Sequence, residues 1–344
     1  MISKVINRAR KTVNTIQRKF ATKGLILMYH RVADVGCDPW GLCVSPSNFA
    51  EHLQVLKTAA TVMGLEEFAQ AQQQGNIPER AVVMTFDDGY IDNFVNAKPL
   101  LEKYEIPATI FLASGYIGKD REFWWDEVER VFLSPGKLPA TLTLKINDRV
   151  YNWDLSQVTE YTETDYQRDR HLSAWQGKKG SRHAIFYSVW ETLQPLPNQQ
   201  QKLALDHILQ WSEKSPNARQ DYRPMNSDEV QKLISGGLIE VGAHTVNHPF
   251  LSAHEETAQQ EEIAQGKTDL EKLLGRTITT FTYPFGAYNR TTIPLVKNLG
   301  FTCACSTEAL PVWWKCDPYQ LPRFGVNNWD GEQFHKQLLK WWEI

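Results

Sequence analysis

No stretch of this 344-residue chain is apolar over the roughly 20 residues that a membrane-crossing helix needs. Nor does any run near the N-terminus match the roughly 7–15 apolar residues of a secretory signal core. Cysteine is scarce: there are five, an odd number without paired spacing, which excludes a disulfide framework and suits a reducing compartment. These absences set a cytoplasmic expectation. Charge of one sign is missing as well, since a net charge of -3 and a pI near 6.3 supply no field that would draw nucleic acid, and no RNA- or DNA-binding motif is present. The exception is local. Lys4, Arg8, Arg10, Lys11, Arg18 and Lys19 share a helical pattern with Ile2, Ile6, Val13, Ile16 and Phe20. Residues 1–23 therefore read as a basic amphipathic helix, suited either to peripheral membrane contact through residues 1–20 or to packing on the protein body.

What is present is a divided set of metal-ligand residue types. Ala81–Phe86 (AVVMTF) reads as a buried strand that stops at Asp87, Asp88 and Gly89. Adjacent side chains on an extended chain diverge, but a turn at Gly89 brings both carboxylates into one pocket, one to hold a metal and the other to move protons. Residues 238–243 (LIEVGA) form a second strand-like run, closed by His244-Thr245-Val246-Asn247-His248. Four-residue spacing puts the two imidazoles on one side if the segment coils as a helix. Two His, one carboxylate and an open position suit catalytic zinc or a similar divalent ion. Taken alone, the acid pair is a plain turn and the His pair a surface loop. Their conjunction points to a site, as does a third loop, Thr282-Tyr283-Pro284-Phe285-Gly286, after another strand-like run.

Strand-like and helical runs alternate: residues 24–29, a helix over Pro46–Ala59, Ala81–Phe86, a helix near 93–104, and residues 108–112. Beyond a break come residues 238–243, a long helix opened by a Ser252–Glu255 capping box, residues 278–283, a helix over 291–299 and residues 301–306. This is the rhythm of a (β/α) barrel, whose sites lie on the strand-to-helix loops. The expected organisation is the N-terminal helix 1–23, a first barrel part 24–134, an insertion 135–224 and a second barrel part 225–344. The insertion opens with a hairpin around Asn147-Asp148 and continues polar and partly helical.

Thr85-Phe86-Asp87-Asp88-Gly89-Tyr90, His244 to His248, and Tyr283-Pro284-Phe285-Gly286 together resemble motifs one to three of the polysaccharide deacetylases, carbohydrate esterase family 4, or NodB homology domain. Leu27-Met28-Tyr29-His30-Arg31-Val32 and Phe123-Trp124-Trp125-Asp126 resemble a bacterial subgroup tied to surface-polysaccharide synthesis. The resemblance covers about residues 24–130 and 225–330. It implies a distorted α/β barrel with an inserted α+β segment, and metal-dependent removal of an acetyl group from an acetamido sugar. In that scheme Asp88, His244 and His248 hold the ion, expected to be zinc with cobalt or nickel as substitutes. Asp87 is the general base toward water, and the Phe285 backbone N–H stabilises the oxyanion.

Two family features are missing. The arginine that orients the catalytic Asp, two residues before the motif-three proline, is replaced by Thr282; Arg323 is the candidate substitute, with Arg31 behind it. The late Leu-x-His that supplies a general acid is absent, His335 falling instead in an apparent helix over residues 331–342. His30, at the end of the first strand, is the candidate acid, because a barrel's first and last strands are neighbours. Tyr90, Trp125, Asp126, Tyr283 and Pro284 are the candidate substrate contacts, and Trp124, Trp313, Trp314 and Trp329 are further rings able to stack on sugar. The expected partner is an acetamido-sugar glycan or a lipid-linked glycan intermediate. Two other readings stay open: a hydrolase of another non-peptide carbon–nitrogen bond, and a carbohydrate-binding homologue without turnover.

Overall fold

Ala81–Phe86 is buried at every position, as a parallel strand covered on both faces must be. It is the third strand of one eight-stranded sheet in a computed structural model that describes residues 21–344. In chain order the strands are β1 Leu25–Tyr29, β2 Thr61–Val62, β3 Ala81–Phe86, β4 Ala108–Leu112, β5 Ile239–Ala243, β6 Thr280–Thr282, β7 Cys303–Cys305 and β8 Phe324–Gly325. Their spatial order is β7-β6-β5-β4-β3-β1-β8, with β2 beside the start of β3. Phe324 of β8 pairs with Leu27 of β1, while Leu321 bridges in parallel to Cys305 of β7. Residues 321–325 thus join the two edges of the sheet, and the chain folds as a distorted (β/α) barrel.

Alternation along the strands divides the core. Ile26, Val83, Phe111, Cys303 and Cys305 form a small inner cluster, while Leu25, Leu27, Val82, Met84 and Ile110 join the larger layer under the helices. Gly242 of β5 is required by that inner packing, since a Cβ there would lie 2.4 Å from the Phe111 ring. Every strand of the ring runs parallel, so the residues following β1, β3, β5, β6 and β7 emerge on one rim.

The Pro46–Ala59 helix starts at Ser45, whose side chain accepts from the Asn48 N–H at 3.2 Å. The long helix spans Glu256–Leu274 and lacks the expected cap: Ser252 lies in a separate 3-10 turn, Leu251–Ala253. Buried Gln259 sets this helix start instead, donating to the His254 carbonyl at 2.8 Å and accepting from the Thr292 hydroxyl at 2.6 Å. A sequence-local box cannot anticipate that long-range bond.

In the insertion, Thr141–Ile146 pairs antiparallel with Arg149–Asp154 around Asn147, whose φ is +53°. Leu142, Trp153, Phe186, Val189 and Leu205 form a second core with Val128 and Phe132 of the Trp124–Leu133 helix. That helix, reckoned with the barrel from sequence, packs with the insertion. Where the insertion ends, the chain returns to the turn after β3: Ile91 N–H donates to the Arg223 carbonyl (3.0 Å) and Met225 N–H to the Gly89 carbonyl (3.1 Å). Among the described residues no helix is long and apolar enough to cross a membrane. The basic helix expected over residues 1–20 lies outside the described residues.

Candidate active site

Asp87 and Asp88 follow β3, and the backbone turns them to different partners. Asp88 has φ +74° and Gly89 φ +89°, so the chain reverses there and the two carboxylates face different partners in one place. Arg323 reaches Asp87 from the segment leading into β8, Nη1 donating to Oδ1 and Nη2 to Oδ2, both at 2.7 Å. Its remaining N–H groups go to the Thr85 hydroxyl (3.1 Å), the Thr282 hydroxyl (2.8 Å) and the Ser306 carbonyl (2.9 Å). All five guanidinium donors are therefore used, in a side chain with no solvent exposure. Thr282, at the position where the resemblance implies an arginine, thus accepts a hydrogen bond from Arg323, the candidate substitute. Arg31 has another task, pairing with Asp92 at 2.9 Å. Burial alone would raise the Asp87 pKa, but the Arg323 charge and hydrogen bonds overcome it and hold the carboxyl well below the usual range.

Asp88 Oδ1 lies 3.5 Å from His244 Nε2 and 3.3 Å from His248 Nε2. The two His do not sit on a helical turn as the spacing suggested. The loop carrying them has positive φ at Thr245 (+65°) and His248 (+55°), and the Thr245 hydroxyl accepts from the His248 N–H at 3.1 Å. This left-handed path, not helical periodicity, brings the rings to 4.5 Å between centroids.

The donor set fits a divalent cation. His244 Nδ1 lies 2.9 Å from the Thr282 carbonyl, which can only accept, so Nδ1 carries the proton and Nε2 presents a lone pair. Burial, with His244 second, pushes the His248 pKa down to about 3, so the His248 ring is neutral. Asp88 Oδ1 is buried without a hydrogen-bond partner. Two lone-pair nitrogens and an orphaned carboxylate oxygen, all within 4.8 Å of one another, form a site for a positive ion.

A cavity of about 360 Å³ opens over these groups, lined by His30, Asp87, Asp88, His244 and His248. His30 Nε2 is 3.9 Å from Asp87 Oδ2. Phe285, in the Pro284–Gly286 turn with φ +57°, packs edge-on to His248 at 4.5 Å. The barrel-rim residues thus converge as the (β/α) reading requires.

The comparisons with known proteins fall on the same residues. The polysaccharide deacetylase family matches residues 74–138 and 204–304, which include Asp87, Asp88, His244, His248 and Phe285. The chain belongs to that family. A Staphylococcus aureus (strain MSSA476) relative named poly-beta-1,6-N-acetyl-D-glucosamine N-deacetylase is 38% identical over 78 residues, 22% of this chain and 27% of that relative. The chain thus spans about a quarter of that curated relative's length. Two solved structures share the fold at 18% identity: the Streptococcus pyogenes deacetylase PplD in complex with acetate and IcaB from Ammonifex degensii. Each has a TM-score of 0.58 and covers 94% of this chain, with 100% of the first and 98% of the second matched.

In this member of the polysaccharide deacetylase family, several candidate substrate contacts lie behind the wall. The reversal at Asp88 and Gly89 turns Tyr90 inward, fully buried, where its hydroxyl donates to Asp126 at 2.7 Å and accepts from Trp125 Nε1 at 2.8 Å. Trp125 lines the cavity, its ring 4.7 Å from His248. Tyr90 and Asp126 therefore set the wall through Trp125 and do not face the cavity themselves. Tyr283 lines the cavity, whereas Pro284 is buried outside its lining. Trp124, Trp313, Trp314 and Trp329 also lie outside the lining, and His335 is exposed on the C-terminal helix. Trp40, Trp190, Gln194 and Phe250 do line it and carried no sequence signal, because none belongs to a motif.

Burial, opposed by Arg31 and Tyr90, pushes the Asp126 pKa from its usual 3.8 up to about 8. The folded state then keeps a proton that the unfolded state has lost, so this group makes stability fall as pH rises from about 4 to about 8, by up to about 1.4 kcal/mol per pH unit. Asp126→Asn still accepts from Tyr90 but cannot ionise. Chemical denaturation across that range should show a flatter pH dependence in the variant; identical slopes would contradict the assignment.

Proposed function

We propose that this chain hydrolyses the N-acetyl group of an acetamido sugar, in a glycan or a lipid-linked glycan intermediate of bacterial surface-polysaccharide assembly. The observation that carries the reading is the carboxylate of Asp87, ionised by Arg323, beside the cation-fitting cluster of Asp88, His244 and His248. When bound, zinc, with cobalt or nickel as alternatives, supplies Lewis acidity that polarises the acetamide carbonyl and acidifies water. Asp88, His244 and His248 hold that ion, with His244 oriented by the Thr282 carbonyl. Asp87 accepts the proton of the attacking water, and Arg323 fixes its lone pairs in place. The Phe285 N–H stabilises the developing oxyanion. His30, beside Asp87, gives a proton to the departing nitrogen as the carbon–nitrogen bond breaks, leaving acetate and a free sugar amine. Cys37, Cys43, Cys303 and Cys305, all buried free thiols, support a cytoplasmic setting for this step.

Zinc-loaded protein should release acetate from N-acetylglucosamine and its β-1,6-linked oligosaccharides in preference to small non-sugar amides. Release from the non-sugar amides alone would favour the other hydrolase reading. Sugar binding without release would favour a binding homologue.

A further inference from the structure

The barrel does not build the catalytic cavity alone. Trp190, from the insertion's Arg182–Leu193 helix, and Gln194, just after it, line the cavity together with Trp40 from the segment following β1. Trp190 is one ring removed from the cation-fitting cluster, with its centroid 6.1 Å from Phe285, which is 4.5 Å from His248. Trp124 and Tyr187 stack against Trp190 at 5.9 and 6.0 Å, and Trp40 lies 4.5 Å away. This ring is therefore braced by its neighbours, yet it stays only half-buried. The Gln194 backbone N–H donates to the Trp190 carbonyl at 2.9 Å, whereas its side-chain amide makes no hydrogen bond among the described residues, and no Lys or Arg lines the cavity.

We infer that Trp190, with Trp40 and Gln194, recognises the sugar: the two indoles pack on the apolar face of an uncharged acetamido pyranose and the Gln194 amide bonds a ring substituent. The inference rests on the proposed sugar chemistry and deepens it, assigning substrate choice to the insertion while the barrel rim carries the hydrolysis. An aromatic wall without cations offers an apolar ring face a large contact area and offers an anionic sugar no counter-charge.

The test uses the zinc-loaded full chain and the tetrasaccharide of β-1,6-linked N-acetylglucosamine, reading kcat and KM for acetate release and, separately, calorimetric binding. Trp190→Ala should raise KM and the dissociation constant about tenfold or more, while kcat falls less than about threefold. Trp190→Phe should recover most of the loss, Gln194→Ala should weaken binding in the same direction, and Trp175→Ala, an exposed ring on the same insertion, should match the parent protein. If Trp190→Ala fails to fold, Gln194→Ala and Trp40→Ala decide. Binding and KM within about twofold of the parent in these alanine variants would overturn the inference, as would a loss confined to kcat. A parent that releases acetate with Trp190-independent KM sinks this inference alone; one that binds the tetrasaccharide through Trp190 without releasing acetate sinks the hydrolase reading and leaves the recognition role. A parent that neither binds nor cleaves it overturns both.

Discussion

Asp87→Asn is expected to lower kcat for acetate release by about 10²- to 10⁴-fold, the range a positioned general base contributes. Asparagine preserves the shape and can still accept from Arg323, but it cannot take the proton of the attacking water. The cation-fitting cluster is a separate set of atoms on Asp88, His244 and His248, so ion binding measured by calorimetry should persist in the variant. The change also removes the counter-charge of a fully buried guanidinium, so the melting temperature should fall and activity must be scored per folded molecule. Near-parental turnover of folded Asp87→Asn would remove Asp87 from the chemistry.

Arg323→Met should be the most destabilising single change at the site, costing about 3–5 kcal/mol, because it leaves the Asp87 carboxylate buried and unpaired. Lysine supplies a charge but not the planar fork that engages both Asp87 oxygens, Thr85, Thr282 and Ser306, so Arg323→Lys should recover only part of the loss. Pairing Arg323→Met with Asp87→Asn removes both charges, and the double variant should be more stable than Arg323→Met alone. A strictly additive cycle would contradict direct coupling between the two groups. The pH dependence has a defined sign. The folded Asp87 pKa lies below its usual 3.8, so the pair's stabilisation is present above that value and disappears as acid titrates the folded carboxyl. The parent should therefore lose its advantage over Arg323→Met only on the acid side.

Much of this was legible in the chain because local and global signals agree. AVVMTF is an unbroken, strand-length run of the kind a doubly covered strand requires, and it ends on two carboxylates. Arg323 could be anticipated because a ring closed by its last strand returns near β1 and β3, and an absent motif residue leaves a buried acid in need of a cation. The loop conformation was not legible. His244 and His248 converge through two left-handed residues that are neither Gly nor Asn, and no propensity predicts φ of +65° at Thr245 or +55° at His248. Tyr90 was misassigned for the same reason, since the reversal at Asp88 and Gly89 decides which side the next residue takes. Trp40 and Trp190 were invisible because their meeting depends on how the insertion packs on the barrel, which no spacing encodes.

The central claim is that Asp88, His244 and His248 hold one ion on which hydrolysis depends. It is tested most directly by stripping the protein with a chelator and titrating zinc back while following heat and acetate release from N-acetylglucosamine oligosaccharides. The account predicts one ion per chain, activity rising in step with occupancy, and neither binding nor release in His244→Ala. Full acetate release by the stripped protein, or parental release by His244→Ala, would contradict it.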